Sequence, residues 1–330
     1  MMRASANTAI RYSGGMEEHL HYGQRFDVAV RSQVGVGAAQ RSENQDNYLL
    51  IDHDGYASFQ LGQQAKRVHV PGWPRGHGRI AVLDGMGGHG HGREAAEAVA
   101  TALLSIPACS NVDELSAHLD ALHLRLQRDF DRIEHSALRP GTTLTLLELP
   151  PAGDALLYHV GDSRLYEIAN GSARVLTIDH VPATAYALAG LLDEHEWWQQ
   201  VHGEHRPQIS QAFILGNAFD DPLVLGDPLR ALEPDVLPRW LRHLPDRRAV
   251  ALRPGAAYLL ATDGFWSCSD AGEWVARWPA LFAGCDGSRQ MLDALFSALE
   301  HAPPAGLHPD NVTALVLRPL TGDDTAIPTS

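Results

Sequence analysis

Asp84 closes the short apolar run Ile80-Ala81-Val82-Leu83 and opens a turn with glycine at 85, 87, 88, 90 and 92. Apolar residues then recur at 95, 98, 99, 102, 103 and 106, a spacing that predicts a helix. The stretch reads strand, glycine-rich turn, helix, with a carboxylate where the backbone can approach a ligand closely. Asp162 in Gly161-Asp162-Ser163-Arg164 and Asp263 in Thr262-Asp263-Gly264 also end apolar strands, and Asp310 immediately precedes one. If those strands pair in sheets, the four can converge at one rim. Asp46, from the polar loop Arg41 to Asp46, can join them.

Carboxylates brought within about 4–5 Å repel by roughly 4 kcal/mol per close pair at an effective dielectric near 20, so a cation must neutralise them. All-oxygen donors without a convergent histidine pair or cysteine select Mg2+ or Mn2+ over zinc. Two such ions balance four carboxylates and place a hydroxide-like nucleophile between them. Two nucleotide readings of the glycine turn fail. Gly85-x-Gly87-x-x-Gly90 satisfies a dinucleotide fingerprint, but Asp84 would repel a pyrophosphate and no acid follows about 20 residues on. Gly85-x4-Gly90 begins a P-loop, but His91 and Gly92 stand where Lys and Ser/Thr are required.

The elements that must position these groups are read in chain order. Residues 1–25 are weakly patterned and predict an N-terminal arm. Alternation from Phe26 predicts a strand, with Asn47 to Asp52 as its hairpin partner. Residues 53–78, rich in Gly, His, Gln and Pro, predict a long irregular loop without a role. Asn111, with Glu114 at the capping-box position, starts a second helix. Leu115, Leu119, Leu122, Leu126, Phe130 and Ile133 carry it to about Ser136.

From Gly141 four strands separated by short turns predict an antiparallel meander that contains Gly161 to Arg164. Residues 188–200 read as a helix, and 179–248 as a surface subdomain. A last helix spans about Gln290 to Glu300, before a closing strand and a tail after Arg318. Trp197 and Trp198 are expected in helix packing, and His89 and His91 in a solvated glycine loop.

The 330 residues, 45% of them apolar, suffice for a sizeable core. A formal charge of −14 argues against nucleic acid or an anionic membrane as the main partner. Lys66 is the only lysine. Three cysteines without a C-x-x-C pattern indicate neither a disulfide framework nor a thiolate zinc site, which suits a reducing compartment. There is no apolar run of 18 residues and no signal-peptide h-region, so a cytoplasmic protein is expected.

Six stretches, in order, resemble one known family: R-S-E-N-Q-D (41–46), V-L-D-G-M-G-G-H (82–89), G-T-T (141–143), H-V-G-D-S-R (159–164), L-A-T-D-G (260–264) and P-D-N-V-T (309–313). They are similar to the motifs of the metal-dependent protein serine/threonine phosphatases, the protein phosphatase 2C family, in the glycine-rich form of its bacterial branch. The resemblance covers about residues 26–318 as a phosphatase domain, with 319–330 a tail. It implies an α+β, four-layer α-β-β-α sandwich: two packed antiparallel sheets flanked by helices, with a flap subdomain at about 180–248.

By the same resemblance Asp84 bridges two Mn2+ or Mg2+ ions, with the Gly85 carbonyl a further ligand. Asp263 and Asp310 complete the first ion's shell, Asp46 contributes directly or through water, and Asp162 with Asp263 matches a third-metal site. Arg41 holds the substrate phosphate. The implied reaction is hydrolysis of phosphoserine or phosphothreonine in proteins by a metal-activated water, opposing a serine/threonine kinase. Met86 replaces a family histidine assigned as general acid, leaving His89 or a metal-bound water for that role. Gln45 replaces an acidic residue. A binding-only pseudophosphatase and a hydrolase of small phosphoesters are the competing readings.

Overall fold

A computed structural model describes residues 20–36, 39–87, 91–133, 140–203, 208–219, 226 and 228–321. Two antiparallel sheets form its centre. The larger runs Arg247–Val250, Ala155–Val160, Leu144–Leu149, Gly78–Leu83, Asn47–Ile51, Tyr56–Leu61 and Gln64–His69 from edge to edge. The smaller runs Phe26–Gln33, Val312–Pro319, Ala257–Ala261, Arg164–Ala169 and Ser172–Val175.

Strand side chains alternate between faces, and here both faces are apolar. Ile80 and Val82 point between the sheets and meet Leu147, Leu165, Leu260 and Leu315 in one cluster. Ala81 and Leu83, one residue on, face a second cluster with the helices Gly92–Leu103 and Val112–Ile133. On the far side, Leu259, Ala261, Ala314 and Val316 pack with Trp274, Trp278 and Phe296. Those three belong to the helices Ala271–Ala276, Trp278–Phe282 and Ser288–His301. The layers are helix, sheet, sheet, helix, as the resemblance implies.

Four local expectations change. Phe26–Gln33 pairs with Val312–Pro319 in full register, Gln33 opposite Val312, and not with Asn47–Ile51, which lies in the other sheet. Sequence proximity favoured the nearer strand; the observed partner is the distant one, and Phe26–Gln33 is a half-buried edge strand. Residues 53–78 are not a loop, because Tyr56–Leu61 and Gln64–His69 form a hairpin at the sheet edge. Its two-residue turn has φ of +60° at Gly62 and +62° at Gln63, the type I′ geometry that matches strand twist. Gln63 is held there by its side-chain amide, which bonds both Asn44 N (2.9 Å) and Asn44 O (2.7 Å).

The expected meander is two hairpins in different sheets, since Ala155–Val160 and Arg164–Ala169 lie on opposite sides of the sandwich and residues 161–163 cross between them. Finally, the helix expected over 188–200 begins only at Glu194, as Glu194–His202, and is the second of a pair whose first member, Pro182–Leu188, ends where it was expected to start. Asp193 starts the second with a full capping box to Glu196, so a cap signal interrupts the apolar periodicity. The Asn111 cap is present, bonding Glu114 N at 2.9 Å, whereas the Glu114 carboxylate reaches Ser110 N. The end expected near Ser136 lies outside the described residues.

Ile178, Trp197, Val201, Leu232, Leu237, Leu241 and Leu244 give the 178–244 region its own small core. Trp198, by contrast, is 52% exposed. No helix among the described residues is long and apolar enough to cross a membrane.

Candidate metal centre

Gly78–Leu83 is the central strand of the larger sheet, and Asp84 leaves its end. Thr143 fixes that aspartate's backbone from both directions. Its hydroxyl accepts from Asp84 N at 2.9 Å, and its N–H donates to Asp84 O at 2.9 Å. The next position must be glycine: a Cβ on Gly85 would lie 2.4 Å from Gln45 O and from Gly92 O. The loop that carries Asp46 and the start of the Gly92–Leu103 helix therefore close on the same backbone point.

Asp46 is buried, and the Thr262 hydroxyl donates to its Oδ2 at 2.8 Å. Thr262 Oγ in turn accepts from Thr313 N at 3.0 Å, tying Asp46, in the loop entering one sheet, to two neighbouring strands of the other. Asn311 performs a second tie. Its Oδ1 accepts from Gln45 N (2.8 Å) and its amide donates to Glu43 O (3.0 Å), so the loop bearing Asp310 is fastened to the loop bearing Asp46. Asp263 begins the short turn Asp263–Phe265 directly after Thr262. Asp162 lies in the crossing between sheets, where Ser163 shares a 2.7 Å hydroxyl bond with Thr143.

The carboxylates feel one another. Burial pushes the Asp84 carboxyl well above its usual range, and the charges of Asp263, Asp46, Asp162 and Asp310 push it further. Burial likewise raises Asp46, to about 8, against the hydrogen bonds from Thr262 and Thr313 and with Asp310 and Asp263 adding repulsion. All five aspartates singled out in the sequence are thus in one electrostatic cluster. Among the described residues no three of them bring oxygens within 4.8 Å of one another. Hard cations fit such a set of anionic oxygens that repel one another without them.

Arg41 stands at the rim. Its Nη2 lies 3.0 Å from Asp310 Oδ1 and its Nε donates to Pro309 O at 2.9 Å, with the side chain 52% exposed. Gln45 bonds Glu43 instead of adding charge to the cluster. Met86 lies in a two-residue ladder with Gly141, and His89 is outside the described residues. His91 pairs with Glu94 at 2.9 Å.

The flap borders this rim. Phe213 exchanges two backbone bonds with Thr142 (3.1 and 2.9 Å), and Ile214 N donates to His123 Nδ1 at 2.9 Å. A cleft of about 230 Å3 runs from Asp162 along Asp179, Pro182, Tyr186 and Gln208. Sequence reasoning quoted Thr143, Thr262 and Asn311 inside motifs but gave them no task. Their signal was a hydroxyl or amide beside an acid at a strand end, where burial demands a partner.

Comparison with known proteins agrees with this architecture. No protein-family profile matches the chain. A protein of Streptococcus pyogenes serotype M6, named as of protein phosphatase 2C type, is 31% identical over 122 residues, 36% of this chain. The match spans 49% of that relative, so the chain covers about half the length of the curated protein it matches. Among solved structures, the S. agalactiae serine/threonine phosphatase superposes with a TM-score of 0.61 at 21% identity, over 89% of this chain and 99% of that one. The catalytic domain of the serine/threonine protein phosphatase PstP, in complex with two manganese ions, gives 0.53 at 21% identity, over 90% and 99%. The curated match is to a protein named as of 2C type, and the fold of this chain is that of the solved phosphatases.

Proposed function

We propose that this chain is a metal-dependent protein serine/threonine phosphatase, and that the residues drawn together at the rim are its active site. The observation that carries the reading is the convergence of Asp46, Asp84, Asp162, Asp263 and Asp310 from both sheets, with Asp84 and Asp46 driven towards their protonated forms by burial and by neighbouring carboxylates of the set. A fold built for stability alone gains nothing from that repulsion.

Asp84, the Gly85 carbonyl, Asp263 and Asp310, with Asp46 beside them, would hold two Mn2+ or Mg2+ ions, and Asp162 with Asp263 a third. Bound there, the ions lower the pKa of a water and neutralise charge on the phosphoryl oxygens. The chain's own groups do the rest. Thr143 and Thr262 hold Asp84 and Asp46 in place. Arg41, partly exposed beside Asp310, offers planar N–H donors to a substrate phosphate. Asp310 and Pro309 O orient that guanidinium before substrate arrives.

Phosphorylated proteins are the substrates in this reading, a serine/threonine kinase is the opposing enzyme, and the flap cleft beside Asp162 contributes to substrate choice. A reducing, cytoplasmic setting fits three free cysteines. The test is phosphate release from a phosphothreonine peptide with and without Mn2+, in wild type and Asp263→Asn. Release that requires Mn2+ and collapses in the variant is expected. No release from the wild type despite Mn2+ binding would overturn the enzymatic reading in favour of a binding-only protein.

A further inference from the structure

A second group of metal-ligating side chains lies apart from the aspartates, near the start of the strand whose end carries Asp84. Cys109, Glu114 and His118 bring a sulfur, a carboxylate oxygen and a ring nitrogen all within 4.8 Å of one another. Glu114 and His118 are four residues apart on the Val112–Ile133 helix and so share a face. Cys109 lies in the linker just before that helix.

Two of the three are already held. Cys109 is fully buried, its N–H donating to Glu148 Oε1 at 3.0 Å. Ser110 N and Ser110 Oγ both donate to Glu114 Oε2, at 3.0 and 3.3 Å, which leaves the second carboxylate oxygen to face a ligand. His118 makes no hydrogen bond or ion pair among the described residues. Burial first, then the Glu148 and Glu114 charges against that of Arg79, push the Cys109 thiol up to about 12.

We propose that Cys109, Glu114 and His118 form a cation site of their own, selective for a borderline ion of the Zn2+ type. A thiolate, a carboxylate and an imidazole make the mixed donor set that such ions prefer over Mg2+ or Mn2+, and three protein ligands leave a fourth tetrahedral position for water. Binding takes the thiol proton off Cys109 and releases it to solvent, with Glu114 ionised and His118 neutral, so affinity rises with pH. Glu148 stands opposite Arg79 in the sheet, five residues before Asp84, which puts the two metal regions about 17 Å apart along that strand. The ion would fasten the linker between the Gly92–Leu103 and Val112–Ile133 helices to the second of them. The inference is independent of the phosphatase reading. It also departs from the sequence expectation, which looked for paired cysteines and passed over a mixed set spaced five and four residues apart.

Co2+ titration of the full chain in saturating Mg2+, which occupies the carboxylate cluster, provides the test. A thiolate-to-cobalt charge-transfer band that saturates at one equivalent and is displaced by Zn2+ is expected, because the aspartates have no sulfur to give one. The band should vanish in Cys109→Ser and persist in Cys268→Ser/Cys285→Ser. His118→Ala, at a half-buried position that leaves the core intact, should bind Co2+ at least tenfold more weakly, and this variant decides the matter if Cys109→Ser fails to fold. No band in the wild type, a band that survives Cys109→Ser, or unchanged affinity in His118→Ala would each overturn the proposal.

Discussion

The central strand Gly78–Leu83 has charge buried at both ends, and the two ends are built on opposite terms. At its start, Arg79 is fully enclosed and spends its donors on Glu148 (2.6 and 3.0 Å), Leu103 O, Ile106 O and Pro107 O. Burial raises the Glu148 carboxyl, but Arg79 and His77 outweigh it and hold the group below its usual range. At its finish, Asp84 and its neighbours raise one another instead. Charge matched within the chain holds the fold together. Charge left to repel marks where something from outside is expected.

The sharpest way to break that contrast is Arg79→Met, which strands Glu148 in the core. Removing one partner of a buried pair costs about 3–5 kcal/mol. Urea unfolding should show a loss of this size, partly recovered in Arg79→Met/Glu148→Gln; a loss under 1 kcal/mol would mean the two ends are alike. Asp84→Asn should do the reverse. Phosphate release in Mn2+ should fall by at least about 100-fold, equivalent to about 2.7 kcal/mol, while the metal-free protein melts no lower than wild type because a repelling charge has gone.

A third variable is pH, acting where the flap is fastened. Burial lowers His123 to about 4, and its Nδ1 accepts from Ile214 N. The unfolded chain takes up a proton near pH 6.5 that the native ring refuses. Stability from this residue is therefore complete above about 6.5 and is lost as pH falls towards 4, on the order of 2 kcal/mol between pH 7 and 5. His123→Gln should flatten that slope in pH-dependent unfolding; an unchanged slope would assign it elsewhere. The smallest expected effect is Thr262→Val. It should weaken Mn2+ binding about tenfold, or about 1.4 kcal/mol, with little change in the metal-free protein's unfolding midpoint.

The acids were legible because each carries a local mark: an apolar run on one side and glycine, serine or a polar loop on the other. Strand pairing was not, since nothing near Phe26 states that its partner begins at Val312. The hairpin 56–69 was missed for a physical reason as well. It forms the sheet edge, where Gln60, Gln64, Lys66 and Arg67 blunt alternation, and its turn is Gly62-Gln63 instead of the more telling Asn-Gly. Asp193 shows the same limit in helices, for a cap hidden inside an apolar repeat was read as continuation. The threonines and Asn311 acquire their tasks only when two sheets stack, which no local window contains.

The pairing of Phe26–Gln33 with Val312–Pro319 also sets a schedule. About 280 residues must be made between the two strands, which at about 5–20 residues per second is roughly 15–60 s of translation. Throughout that interval an early strand waits with its backbone donors and acceptors unsatisfied, a ready template for wrong partners. The smaller sheet is completed only once that distant strand has been made, so until then the ribosome carries an unclosed sandwich and the acids of the two sheets meet late.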